Sequence, residues 1–206
     1  MEEFDTIIVG LGPAGITATI YASRFKMKTL AVGKLPGGLL TEGYVVENYP
    51  GFLSIKAFEL AQKFVQHAKA FGAKLIEGVG VKEIKRINAK FEVTLENGEE
   101  YVGKTLILAY GLKRRKLNVP GEKEFVGRGV SYCVTCDAFF FRDKVTAVVG
   151  GSDSAVVGAI QLAEVAKKVY IIYRRDKLRA EPLWVERALT NPKIEVIYNT
   201  NVVEIK

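Results

Sequence analysis

A glycine turn between an apolar strand and a helix occurs twice in this chain, and that repeat leaves few folds open to it. The apolar run Phe4 to Val9 ends in Gly10-Leu11-Gly12-Pro13-Ala14-Gly15. The helix-period stretch ITATIYASRF follows, and a second apolar run, KTLAVG, completes the unit. Strand, glycine turn, helix, strand is the context in which a GxGxxG spacing carries meaning. Gly10 permits the tight turn, Gly12 lets a pyrophosphate approach the backbone, and Gly15 lets helix and strand pack closely. The helix N-terminus offers free N–H groups and the positive end of its dipole. From Asp143 the same order returns in DKVTAVVGGSDSAVVGAIQLAEVAKKVYIIYRR. Its turn reads Gly150-Gly151-Ser152-Asp153-Ser154-Ala155, a GxGxxA spacing with Ser152 at the middle glycine.

Between the two repeats lie a turn-rich loop, PGGLLTEGYVVENYPGF, and an amphipathic helix over roughly 55–71. Three alternating segments follow, VKEIKRI, KFEVTLE and EEYVGK, with Asn97-Gly98 as a hairpin turn. They read as a meander inserted beside the sheet, and TLILAYG then reads as a separate, buried parallel strand. At 206 residues, 49% of them hydrophobic, the chain has material for one good core or two small ones. The expected fold is α/β, with two Rossmann-like three-layer dinucleotide-binding domains, the first carrying the inserted β-meander. The expected domains are residues 1–116 and 117–206. His67 stands mid-helix among Lys and Gln, and reads as a surface residue rather than a ligand or base.

A formal net charge of +7 raises the question of nucleic acid. The basic residues are dispersed apart from Lys113-Arg114-Arg115-Lys116 and Arg174-Arg175, and neither run carries interleaved aromatics. The charge reads as a solvated face, with no nucleic-acid partner. No stretch reaches the roughly 18 apolar residues of a membrane helix, so no membrane is expected either. The acidic start running straight into a strand predicts no secretory signal, and with only two cysteines it predicts a reducing cytoplasm.

The two modules differ where a ribose would sit. In the first, Gly33, Lys34 and Leu35 occupy the place of the usual acid after the second strand. In the second, that strand ends in Tyr173-Arg174-Arg175, with Arg179 close behind. Arginines there suit a 2′-phosphate through charge-assisted hydrogen bonds, which favours NADPH over NADH. Two such modules in one chain point to a tightly held flavin and an exchangeable nicotinamide, with a hydride passing between them.

The only cysteines, Cys133 and Cys136, lie between the modules. A pair at this spacing can be a redox disulfide, half a metal site or two buried thiols. A structural zinc site lacks its other ligands here, so no metal is expected. A disulfide closing so short a loop is easily reduced, a weakness in a staple and a requirement in a catalyst. Asp137, directly after the pair, is placed to handle a proton.

GLGPAG, GG-L…ENYPGF, GRGVSYCVTCDAFF, VVGGSDSA and YRRDKLRAEP, in this order and spacing, resemble the low-molecular-weight thioredoxin reductases of bacteria and archaea. The resemblance implies a flavoprotein disulfide reductase passing electrons from NADPH through FAD and a Cys133–Cys136 disulfide to thioredoxin or a thioredoxin-like protein. It implies that Cys136 sits against the flavin, that Cys133 attacks the partner's disulfide, and that Asp137 is the acid/base. FAD would be held by Gly10, Gly12, Pro13, Ala14, Gly15, Gly38, Leu39 and Asn48. NADPH would be held by Gly150, Gly151, Ser152, Ser154, Ala155, Arg174, Arg175 and Arg179. A homodimer is implied, with a rotating NADPH domain and a hinge strand in or near 113–119. The sequence departs from the family at Leu39 (usually Gln), Tyr110 (Thr), Ser152 (Gly) and Tyr173 (His). The family also continues beyond this length to finish both domains, so the chain reads as part of a longer protein. Two other functions fit the same residues: an NAD(P)H oxidase-type flavoenzyme, and a nucleotide-binding or redox-sensing module without turnover.

Overall fold

The first apolar run forms β1 (Glu2–Val9), and the computed structural model, which describes residues 1–206, builds its larger sheet around it. The chain divides into two units, Met1–Lys113 and Arg114–Lys206. In the first unit β1 leads through the glycine turn into α1 (Pro13–Arg24) and then β2 (Thr29–Gly33). A 3-10 turn at Gly38–Glu42 and a small antiparallel pair, β3 (Val45–Val46) with β4 (Ile55–Lys56), precede α2 (Ala57–Ala70). Next come β5 (Lys74–Glu77), β6 (Val81–Ile87), β7 (Lys90–Leu95) and β8 (Glu100–Leu108). The strand order is β5-β2-β1-β8-β7-β6. Pairing is parallel from β5 to β8 and antiparallel from β8 to β6.

A central parallel strand is covered on both faces, which is why β1 reads as a continuous apolar run. Ile7 and Val9 join Phe4, Leu30, Val32, Val93, Leu95 and Tyr101 in one core. Ile8, between them in sequence, turns to the opposite face with Leu11 and Ala31. The acids at the start of β1 stay outside the core and tie it to other strands of the sheet. Glu2 pairs with Lys74 of β5 at 2.6 Å, Glu3 with Lys90 of β7 at 2.7 Å, and Asp5 with Lys104 of β8 at 2.7 Å.

The structure differs from the sequence reading at β8. EYVGK and the TLIL of TLILAYG form one strand, with one edge on β1 from Glu2↔Tyr101 to Val9↔Leu108. Its other edge pairs with β7 over Glu100–Gly103. No turn residue interrupts 100–108, so the β6–β7 hairpin extends the same sheet instead of lying beside it. The Asn97-Gly98 turn is formed, with Gly98 at φ 88 and the Glu99 N–H donating to Asn97 Oδ1 at 3.1 Å.

The second unit carries α3 (Val134–Asp137), β9 (Val145–Val149), α4 (Asp153–Ala163), β10 (Lys168–Ile172), α5 (Pro182–Leu189) and β11 (Ile194–Ile197). The strands form a parallel sheet, β11-β10-β9. Val156, Ala159, Leu162 and Ala163 of α4 are buried, as are Val169 and Ile171 of β10. Trp184 and Ala188 provide the buried side of α5. The architecture is thus mixed α/β, with one mixed sheet whose core strands are parallel and one parallel sheet. No helix is long and apolar enough to cross a membrane.

Candidate functional site

The first glycine turn is shaped by backbone crowding. Gly10 has φ 119, and an added Cβ there would overlap the Ala109 carbonyl. A Cβ on Gly15 would overlap the Gly10 carbonyl oxygen, so helix and strand touch through that glycine. Gly12 is different. It has an ordinary extended backbone, φ −77 and ψ 179, and an added Cβ would find only Gly38 Cα, at 3.8 Å. The space beside Gly12 is therefore open for something other than the fold. Gly12 caps α1 without a side-chain hydrogen bond, Pro13 follows, and the first turn holds no acid; the amides of Ala14 and Gly15 lie at the positive end of the helix dipole.

Gly38 lies against this turn, since a Cβ on it would approach Gly12 Cα to 2.7 Å. Leu39 follows in the 3-10 turn, exposed. Asn48 is exposed on the loop Glu47–Leu53, which lines a shallow depression of about 500 Å3. Lys34, where the sequence lacks a ribose-binding acid, pairs with Glu96 at 2.7 Å. His67 is exposed and tilts against Phe71.

The second turn is built differently. Gly150 has φ 141, and a Cβ on Gly151 would come within 2.5 Å of the Tyr173 ring, which is buried beneath the turn. Ser152 caps α4 with no hydrogen bond from its hydroxyl, and it is exposed with Ser154. Ala155 is half-buried, its N–H donating to the Ser152 carbonyl at 2.9 Å. Arg174, Arg175 and Arg179 are exposed on the loop after β10. Two bonds fasten that loop to the turn: Arg179 N–H donates to the Gly151 carbonyl at 2.6 Å, and Glu181 N–H to Asp153 Oδ1 at 2.8 Å.

Cys133 and Cys136 are joined in a disulfide, with Cα atoms 5.3 Å apart. Cys133 is the N-cap of α3, its sulfur accepting from the Cys136 N–H at 3.2 Å. Cys133 is half-buried and Cys136 exposed. Asp137 ends the same turn, and its Oδ2 accepts the Ser131 hydroxyl at 2.5 Å. Ser131 Oγ also accepts the Cys133 N–H at 3.1 Å, so one hydroxyl ties the carboxylate to the cysteine backbone. Ser131 was not singled out in the sequence; a serine two residues before a helix-opening cysteine was the available sign. Glu122 and Tyr132, which bond to each other at 2.9 Å next to the pair, left no periodic trace.

The family model for pyridine nucleotide-disulphide oxidoreductases matches residues 4–206. The thioredoxin reductase of Bacillus subtilis is 46% identical over 204 residues, covering 98% of this chain and 64% of the relative. That of Treponema pallidum is 42% identical over 206 residues, covering 99% of this chain and 66% of the relative. This chain therefore spans just under two thirds of the length of both relatives. The crystal structure of Lactococcus lactis thioredoxin reductase superposes with a TM-score of 0.96 at 39% identity, covering 98% of this chain and 67% of that one. The T. acidophilum thioredoxin reductase structure gives 0.94 at 38%, covering all of this chain and 67% of that one. Matched over nearly its whole length in both sequence and structure, this chain belongs to the pyridine nucleotide-disulphide oxidoreductase family, in the company of its thioredoxin reductases.

Proposed function

We propose that this chain acts, alone or as part of a longer protein, as a flavoprotein disulfide reductase that passes electrons from NADPH to thioredoxin or a thioredoxin-like protein. Each unit would be a Rossmann-like three-layer dinucleotide domain, with FAD held in 1–116 and NADPH in 117–206, in a cytoplasmic homodimer. The observation that carries this reading is a CxxC disulfide beside a hydroxyl-held carboxylate, in one chain with two glycine turns.

The residues fit the groups assigned to them. The unfilled space at Gly12, the uncapped start of α1 and the adjoining Gly38 suit a pyrophosphate of FAD. Gly150, the uncapped Ser152 and the loop of Arg174, Arg175 and Arg179 suit NADPH. When bound, the two cofactors would supply the electron pair that opens the disulfide.

The rest of the chemistry belongs to the chain. Opening Cys133–Cys136 takes up two electrons and two protons; Cys133 reacts as the thiolate, with one proton on Cys136 and the other held by Asp137. The Cys136 N–H donates to Cys133 Sγ, so a backbone donor stands beside that sulfur as the disulfide opens. That thiolate attacks the partner's disulfide and forms a mixed disulfide, releasing one partner sulfur, to which Asp137 can deliver a proton. Cys136 then displaces the second partner sulfur and re-forms the internal disulfide.

The test is a visible spectrum during anaerobic NADPH addition, with thiol counting. A flavin band that bleaches as two thiols appear supports the reading. Cys133→Ser should abolish protein-disulfide reduction while NADPH-to-dye transfer continues; disulfide reduction surviving in that variant refutes the assignment.

A further inference from the structure

Glu122 is the one charged side chain buried in the chain, 2% exposed, and nothing in the proposed chemistry uses it. Its carboxylate collects donors from two stretches. From the segment by which the chain enters the second unit, Leu117 N–H donates to Oε1 at 2.9 Å and Asn118 N–H to Oε2 at 2.7 Å. From the segment running into the disulfide, the Tyr132 hydroxyl donates to Oε1 at 2.9 Å. Lys116 stands 5.9 Å above the Tyr132 ring and is the cation facing the cluster. Asn118 is held at φ 57, a left-handed conformation that its bond to Glu122 helps to offset.

Only an ionised carboxylate satisfies this set. It accepts at both oxygens, whereas an amide or a protonated acid would turn a hydrogen toward one of the donors. The Leu117 N–H, with Asn118, Tyr132 and Lys116, holds the Glu122 carboxyl below its usual range against the opposing effect of burial. Burial, and then the bond to Glu122, push the Tyr132 phenol up. At neutral pH the acceptor is therefore ionised and the donor protonated.

Tyr132 directly precedes Cys133, whose N–H is tied to the Ser131 hydroxyl that also holds Asp137. We propose that Glu122 is a positioning residue for the cysteine pair: through the Tyr132 hydroxyl it fixes the backbone entering Cys133 and sets how readily the disulfide closes. The proposal rests on the reading of Cys133–Cys136 as a redox pair. A fixed backbone keeps the two sulfurs at high effective concentration; a loosened one lowers it and shifts the balance toward the dithiol.

The test equilibrates this chain with reduced and oxidised dithiothreitol. The reagent gives up two electrons and two protons and closes its own ring, while Cys133–Cys136 opens to two thiols. Tyr132→Phe removes only the hydroxyl. It should shift the equilibrium toward the dithiol by about 10- to 100-fold, the loss of one charge-assisted bond. Glu122→Ala, which removes the acceptor, should shift it at least as far, and adding Tyr132→Phe to it should shift it no further, because the hydroxyl then has no carboxylate to hold. Trp184, the only tryptophan, reports by fluorescence that the second unit remains folded. A merely structural role would lower the melting temperature without moving the equilibrium. Tyr132→Phe poised as the wild type, with Trp184 unchanged, overturns the proposal. A wild-type pair that the reagent cannot open and close overturns the redox reading itself, and the proposal with it.

Discussion

The middle and last glycines of the first turn should fail in opposite ways when each is replaced by alanine. At Gly12 the backbone is one any residue adopts, and the added methyl meets no atom closer than 3.8 Å. Removing a glycine from the unfolded chain contributes about 0.4–1 kcal/mol of stability. Alanine is a poorer N-cap than glycine by a similar amount, about 0.5–1 kcal/mol. The two offset, so the flavin-free Gly12→Ala chain should melt within about 2 °C of the wild type. Its methyl nevertheless occupies the approach of a pyrophosphate to the N-terminus of α1. Loss of one charge-assisted bond, about 1.5–3 kcal/mol, should weaken FAD about 10- to 100-fold. At Gly15 the added Cβ overlaps the Gly10 carbonyl oxygen and stands 2.9 Å from its carbon, so α1 must move off β1. Overpacking of that kind costs about 1–3 kcal/mol, or roughly 2–12 °C of melting temperature with or without flavin. Thermal melts of flavin-free protein and FAD titration by fluorescence separate the two. Gly12→Ala binding FAD as tightly as the wild type refutes the cradle. So does a wild-type chain that takes up no FAD.

Two further results are expected. Replacing Arg174 and Arg175 together by Glu should raise the KM for NADPH by about 10- to 100-fold, through loss of bonds to the 2′-phosphate, and leave NADH little changed. Steady-state dye reduction with both donors measures this, and an equal rise for both would show that the arginines do not read the phosphate. Acid should loosen the first unit. Hydrogen bonds from Lys74, Lys90 and Lys104 hold the carboxyls of Glu2, Glu3 and Asp5 below their ordinary values. Their stabilising contribution is complete above about pH 5 and is lost as pH falls through the lowered values, below about pH 4. The melting temperature should fall over that window, less steeply in Lys74→Ala and Lys104→Ala and at high salt; identical slopes in the variants would remove the ion pairs from the account.

What could be read from residues alone was what repeats or alternates. The spacing of Gly10, Gly12 and Gly15 between a continuous apolar run and a helix-period stretch located β1 and α1, because a doubly covered strand and an amphipathic helix write different periods. The Cys133-to-Cys136 spacing was visible for the same local reason. Contacts between distant residues were not. Lys34, just past β2, pairs with Glu96, just past β7, and Glu122 meets Tyr132 ten residues on; a buried glutamate and a surface one look alike until their donors are placed. β8 was divided in two because its first half alternates like a hairpin strand and its second half reads like a buried one. Only the pairing with β1 along one edge and β7 along part of the other explains both patterns in a single strand.

The two departures in the second nucleotide turn carry different weight once their directions are known. Tyr173 replaces a family histidine, but its ring is buried under Gly151 and fills the space that a Cβ there would need. It is part of the floor of the turn, and it makes glycine obligatory at 151. Ser152 stands at a glycine position yet is exposed, caps α4 without using its hydroxyl, and points no atom into the core. A side chain there is felt by whatever approaches the helix N-terminus and not by the fold. Asp153 adds a carboxylate to the same first turn, but its Oδ1 is engaged by the Glu181 N–H, which draws the arginine loop against the turn. The charge that would oppose a pyrophosphate is thereby turned to holding the loop whose arginines would receive the 2′-phosphate. On the proposed function, selectivity for the electron donor would rest on Ser152 and the arginine loop, while the crowding of the turn falls on Gly151 and Tyr173.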